Sequence, residues 1–201
     1  MIYAIGDSHA EITFGGVPGV RTHRVDITLK RAGYPEDDAL LGAVGAMPLG
    51  PADVVIFCFG EPDCRSFVHP QAMRPVKNDV DALLETWVER YLVRLALLPL
   101  NGARVAILSV APPTTTERSQ NPYIAPAGTD AERADYARRM HAVLSAACRA
   151  RGLIYVDTYS RYADDRGMLR LECADASVHV KDPAGVRRLL VDVGLLSEVS
   201  A

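Results

Sequence analysis

The run Ile2-Tyr3-Ala4-Ile5-Gly6-Asp7-Ser8-His9 decides how this chain is read. Its four apolar residues form a short continuous block, the pattern of a strand buried on both faces. Gly6-Asp7-Ser8 then ends the block with turn-forming residues. A polar side chain one or two positions past a buried parallel strand lies where open α/β sheets place their ligands. Two readings start from this point. Ser8 is a nucleophile, or Asp7 and His9 are metal ligands.

Working outward, three more apolar runs at 54–59, 105–110 and 153–156 are short, rich in β-branched residues and bounded by Gly, Pro, Asn or Asp. The alternating run 20–27 adds a fifth strand. Helical patterns lie between the strands. The segment 76–98 carries Val80, Leu83, Leu84, Trp87, Val88, Tyr91, Leu92, Leu95 and Ala96 at the spacing of one helix face, with Pro75 and Pro99 at its ends. A second helix is expected over 130–150, with Thr129 as N-cap, Glu132 as its capping-box partner and Gly152 just past its end. A third is expected over 183–196, capped by Asp182 with Pro183 in its first turn. Strand and helix alternating at this spacing predict an α/β fold around a parallel sheet. With no internal repeat and no linker, residues 1–201 read as a single domain.

The 201 residues are 49% hydrophobic and 23% charged, with a formal net charge of −3. A chain this long buries roughly 70% of its unfolded surface, so its core needs neither disulfide nor metal. No basic face suggests nucleic acid, no apolar stretch is long enough to span a membrane, and the start lacks the pattern of a signal peptide. A cytoplasmic protein is the expectation. Cys58 and Cys148 read as packing residues, and the spacing of the four cysteines does not suggest a disulfide framework. The longest loop, 111–128, is rich in Pro and Thr, and either lines a site or is a surface excursion. Tyr123 is its only aromatic residue.

A serine hydroxyl is a weak nucleophile until a base takes its proton. Of the five histidines, His179 is best placed, on a loop just before the Asp182-Pro183 helix start. Asp175, four residues earlier, is positioned to orient it. Ser8, Asp175 and His179 make a workable triad, since triads are defined by geometry and not by chain order. His9 is expected near the pocket without a motif role, and His23 and His141 as surface or packing residues. Asp7 is assigned to bonding the backbone of its own turn.

These residues resemble the SGNH, or GDSL-type, hydrolases. The first block of that family is Gly-Asp-Ser after strand one, here Gly6-Asp7-Ser8, and its last pairs an aspartate and a histidine before the C-terminal helix, here Asp175 and His179. The resemblance spans nearly the whole chain. It implies a three-layer α/β/α sandwich with a flavodoxin-like parallel sheet, an esterase or other acyl hydrolase using no metal or other cofactor, and a small-molecule or glycan ester as substrate, an acetylated carbohydrate among them. It implies an oxyanion hole made from the Ser8 N–H, a glycine N–H from the second block (Gly42 or Gly45) and an asparagine side chain.

The chain departs from that pattern twice. The last block is Asp-x-x-x-His instead of Asp-x-x-His, with Ala176 in the usual aspartate position. After the second major strand, Gly60-Glu61-Pro62-Asp63-Cys64-Arg65 replaces Gly-x-Asn-Asp, so a proline with no donor stands in the asparagine position. Gly-Glu-x-Asp-Cys-Arg is similar to a variant within the same group. Glu61, Asp63, Arg65 and His69 are therefore candidates for substrate or oxyanion binding. Arg65 is either a substitute donor or is pinned by Glu61 and Asp63 in a structural network. Its charge is also expected to lower the thiol pKa of Cys64.

Two rival readings remain. One is an inactive relative that binds a glycan or acyl ligand. The other is a metallophosphoesterase, whose opening Asp-x-His also looks like Asp7-Ser8-His9. Its later Gly-Asn-His and Gly-His-x-His motifs are missing here, and Ser109-Val110-Ala111-Pro112-Pro113 stands where the first of them belongs.

Overall fold

Each of the apolar runs becomes a strand of one parallel sheet. The computed structural model describes residues 1–74, 79–120 and 124–198. Its strands are β1 (Ile2–Gly6), β2 (Val20–Arg24), β3 (Val54–Cys58), β4 (Arg104–Leu108) and β5 (Ile154–Val156). They lie in the order β2-β1-β3-β4-β5, every neighbouring pair parallel. The register sets Ile2 beside Val20 on one side and Val54 on the other.

The helices are α1 (Ser8–Phe14), α2 (Leu29–Ala32), α3 (Asp38–Gly45), α4 (Val68–Ala72), α5 (Val80–Leu95), α6 (Asp130–Ala150), α7 (Thr158–Tyr162) and α8 (Pro183–Asp192). Alternation along the strands divides the core into two layers. Tyr3, Ile5, Val55, Phe57 and Ile107 pack beneath α3, α5 and α6. Ile2, Ala4, Ile56, Cys58, Ala106 and Leu108 pack on the other face, with Ala10 and Phe14 of α1 and Val186 and Leu190 of α8. The result is the expected α/β/α sandwich with flavodoxin-like strand order. Leu84, Trp87, Val88, Tyr91, Leu92 and Leu95 make the buried stripe of α5. A fully buried Leu or Val contributes about 1.5–3 kcal/mol relative to exposure, so this stripe secures α5 to the sheet.

The ends of the elements differ from expectation for local reasons. α5 covers 80–95, with Asp79 as N-cap, and ends short of 98; the expected start at Val76, with Pro75 before it, lies outside the described residues. α8 stops at Asp192 because Gly194 takes φ 71°. The Leu195 N–H then turns back to Leu190 O at 2.8 Å and the Gly194 N–H to Val191 O at 2.9 Å, a helix stop that needs a residue at ease with positive φ. α6 starts at the expected reciprocal cap between Thr129 and Glu132. No helix among the described residues is long and apolar enough to cross a membrane.

Candidate active site

Strand order reverses between β1 and β3, and the crevice at their carboxyl ends is where such sheets bind ligands. Gly6 ends β1 there. A Cβ on Gly6 would come within 2.0 Å of the Cys58 carbonyl oxygen, so only glycine lets the two strands end side by side. Asp7 caps α1, its Oδ1 accepting from the His9 N–H at 2.8 Å. This is the turn-bonding role expected of Asp7, and it sets Ser8 as the first residue of α1. An amide in that position has no intrahelical acceptor.

His179 arrives from the far end of the chain on a tight hairpin closed by the Ala174–Val180 bridge. Inside the hairpin Asp175 Oδ1 accepts from the Ser177 N–H at 2.7 Å and the His179 N–H at 3.1 Å. The extra residue of the Asp-x-x-x-His spacing is absorbed in this turn. Asp175 Oδ2 remains directed at the ring, 2.7 Å from His179 Nδ1, and His179 Nε2 lies 2.9 Å from Ser8 Oγ. A carboxylate only accepts, so Nδ1 carries the proton and Nε2 is left to accept from the Ser8 hydroxyl. Burial, and then the neighbouring His9, push His179 below the ordinary histidine range against the pull of Asp175. Burial raises the Asp175 carboxyl, but hydrogen bonds from the His179 ring, Ser177 and the His179 backbone outweigh it and leave it below its usual value.

The turn after β3 is built differently from expectation. Gly60, at φ 121°, lets the chain leave the sheet and enter a π-helical turn over Asp63–Phe67. Such turns recur at functional sites. Asp63 is fully buried and serves α2: its oxygens accept from the Leu29 N–H at 2.7 Å and the Lys30 N–H at 3.1 Å. Burial pushes its carboxyl up to about 7, although those same N–H groups hold it down. Arg65 is pinned. Its Nε donates to Glu61 Oε1 at 2.9 Å and its Nη1 to the Ile124 carbonyl at 2.7 Å. Of the two readings of this cluster, these contacts match the structural network, with Glu61 and not Asp63 holding the guanidinium. Cys64 reverses expectation: burial, then Asp63 and Glu61, drive its thiol well above its normal value despite the adjacent Arg65.

Among the described residues no hydrogen bond joins His69 to the Ser8–His179 pair; its Nδ1 lies 3.1 Å from the Tyr136 hydroxyl and ties α4 to α6. Gly42 and Gly45 are also corrected. Both are exposed positions inside α3, with open space where a Cβ would stand. A helix-interior N–H is committed to the carbonyl four residues back, so neither supplies an oxyanion amide. His141 packs as expected, stacked on Tyr159 at 4.8 Å.

The long loop does reach the site. Arg118 donates to the Asp175 carbonyl, and the Ala127 N–H to Arg65 O at 2.9 Å. Arg133, fully buried on α6, grips both ends of the loop through the Gly128 carbonyl at 2.9 Å and the Thr114 carbonyl at 3.3 Å. Tyr123 lies outside the described residues. Sequence reasoning missed Arg118 and Arg133; it expected His9 near the pocket and missed only its bonding. The ring of His9 packs 4.6 Å from that of His179, and its Nδ1 lies 2.9 Å from Asp7 Oδ1. Asp7 and His9 therefore bond each other. Among the described residues, no group of three or more His, Cys, Asp or Glu side chains is arranged to hold a metal ion.

The order and parallel pairing of these strands are shared, as a fold, with solved structures of GDSL-type lipolytic proteins. A GDSL-like lipase from Bacteroides thetaiotaomicron superposes with TM-score 0.58 at 12% identity, covering 96% of this chain and 86% of its own. Phospholipase A1 from Streptomyces albidoflavus gives 0.52 at 15% identity, covering 96% and 98%. The aryl esterase of M. smegmatis gives 0.53 at 14% identity, covering 96% and 95%. No family profile and no curated protein sequence matches the chain.

Proposed function

We propose that this protein is a serine ester hydrolase that works through an acyl-enzyme. The observation that carries this reading is the unbroken relay Ser8 Oγ, His179 Nε2, His179 Nδ1, Asp175 Oδ2, with steps of 2.9 and 2.7 Å. Ser8 attacks the ester carbonyl while His179 takes its proton. His179 returns that proton to the departing alkoxide, leaving an acyl group on Ser8 Oγ. Water, deprotonated by His179 in turn, attacks the acyl carbon, and His179 passes that proton to Ser8 Oγ as the acid leaves. Asp175 holds the ring in the required tautomer and balances the imidazolium formed at each step.

The Ser8 N–H is the oxyanion donor this reading assigns. Pro62, at the head of the π-helical turn, has no donor to offer, and two of the three Arg65 nitrogens are already engaged. Loss of a single oxyanion donor costs about 10²–10³ in kcat, so turnover of simple esters is expected to be slow unless the substrate supplies its own donor. The bonding of Asp7 to His9 disfavours the metal reading.

The test is turnover of p-nitrophenyl acetate and of acetylated saccharides by the full chain and by Ser8→Ala, with mass spectrometry of the quenched reaction. Turnover lost in the variant, and an acyl adduct on the Ser8 peptide of the parent, support the reading. Equal rates in the two proteins refute it. Binding of these esters without turnover by either protein favours the rival, a ligand-binding relative.

A further inference from the structure

His9 stands behind the Ser8–His179 pair, and no step of the acyl transfer uses it. It is only 5% exposed. Its Nδ1 lies 2.9 Å from Asp7 Oδ1. Its Nε2 lies 3.3 Å from the Val178 carbonyl oxygen and 3.8 Å from Glu61 Oε2. Carboxylates and carbonyls are acceptors. A neutral imidazole would turn a bare lone pair toward one of them, and only the doubly protonated ring donates on both sides.

The surroundings give the same answer. Asp7, His9, Glu61 and Arg65 follow one another as a row of alternating charge inside the protein, with contacts of 2.9, 3.8 and 2.9 Å. With His9 charged, the row is neutral. With His9 uncharged, one carboxylate is left unbalanced away from water, which is costly. The row also ends on two loops of the site, at the carbonyl of Val178, just before His179, and through Arg65 at that of Ile124.

We propose that His9 is a positioning residue: a buried imidazolium that tethers the His179 hairpin through the Val178 carbonyl and whose charge keeps the His179 ring in its proton-accepting form. Its catalytic meaning rests on the hydrolase reading above; its protonation state does not. The charged and titratable groups facing this pair are Asp7 from the β1–α1 turn, Glu61 and Arg65 from the turn after β3, and Asp175 from the hairpin. Burial works against a charge on His9. Asp7, by charge and hydrogen bond, and Glu61 outweigh it and the opposing Arg65, leaving a pKa of about 9.

The test is a ¹⁵N-imidazole NMR titration of the full chain beside His9→Gln and Glu61→Gln, with the pH profile of kcat/KM measured in parallel. Signals are assigned by their loss in His9→Gln and His179→Asn. In the parent, His9 is expected to show two protonated nitrogens at neutral pH while His179 is neutral. In His9→Gln, the titration of His179 and the acid limb of kcat/KM should move up together by about one unit or more, the scale of a like charge within 4–6 Å. Glu61→Gln should lower the His9 pKa. A single bare nitrogen on His9 in the parent at neutral pH overturns the proposal; if His9→Gln does not fold, the five histidines are assigned instead by through-bond correlation of each ring to its own backbone. An unmoved His179 titration in folded His9→Gln overturns it as well. A protein that turns over no ester but shows both NMR effects keeps the charge relationship and loses only the hydrolase reading.

Discussion

Ser8 Oγ and His179 Nε2 lie 2.9 Å apart although 171 residues separate them along the chain. The fold brings them together through one shared core. Ala10 and Phe14 of α1, the helix Ser8 begins, pack in the same cluster as Val186 and Leu190 of α8, the helix that follows the His179 hairpin. Both helices cover one face of the sheet, so their starts meet above the carboxyl end of β1.

If the two side chains act as one unit, their removals will not add. Ser8→Ala and His179→Asn are each expected to lower kcat on the order of 10⁴-fold or more, and the double variant to be no worse than either alone. Single-turnover and steady-state rates on p-nitrophenyl acetate, with circular dichroism to confirm folding, give the comparison. Multiplying losses would mean that the two residues act in separate steps.

The pH dependence follows from His179. It must be unprotonated to accept the Ser8 proton, and its pKa is held below the ordinary 6.5. Activity therefore rises with pH through a midpoint below 6.5. Asp175→Asn removes the carboxylate that fixes the tautomer, and kcat should fall by about 10⁴-fold, as in a serine protease altered at the equivalent aspartate. A kcat/KM profile across the acid range measures both, and a midpoint well above 6.5 in the parent would contradict the assignment.

Asp63 gives a prediction about stability instead of rate. Its carboxylate is the acceptor for two amides at the start of α2. Asp63→Ala leaves them without it and should cost about 2–4 kcal/mol in urea unfolding. Asn keeps one accepting oxygen and has no charge to bury, so Asp63→Asn should lose less. Since folding raises the Asp63 pKa from 3.8 to about 7, its contribution is full below 3.8 and is lost as pH rises through about 7. The deficit of Asp63→Asn relative to the parent should accordingly shrink over that interval. A deficit that grows with pH would place the buried carboxylate in a different balance.

The sequence made the sheet and the Ser8–Asp175–His179 set legible because both depend on local signals: short apolar runs, a turn after β1 and a capped helix after the hairpin. What it hid depends on contacts between distant segments. Gly42 and Gly45 looked like oxyanion glycines, yet stand at exposed positions of a helix, with open space where a Cβ would be. Cys64 sits beside a basic residue in the chain, but that guanidinium is spent on Glu61 and Ile124 while Asp63 and Glu61 act on the thiol. His9 showed no motif because one of its partners, the Val178 carbonyl, lies 169 residues away.

The charge on His9, favoured by Asp7 and Glu61 against burial, has a thermodynamic consequence independent of catalysis. Folding raises the His9 pKa from 6.5 to about 9, so the folded state binds this proton more tightly than the unfolded chain does. The contribution is fully present below 6.5 and is lost as pH rises through about 9, up to about 3 kcal/mol for such a shift. Urea unfolding at about pH 6 and about pH 9.5 should show the parent losing stability over that interval. His9→Gln, less stable at the lower pH, should lose clearly less than the parent, what remains including the titration of Asp63 near 7. Equal losses in both proteins would show that the folded chain does not hold a proton on His9 more tightly than the unfolded one.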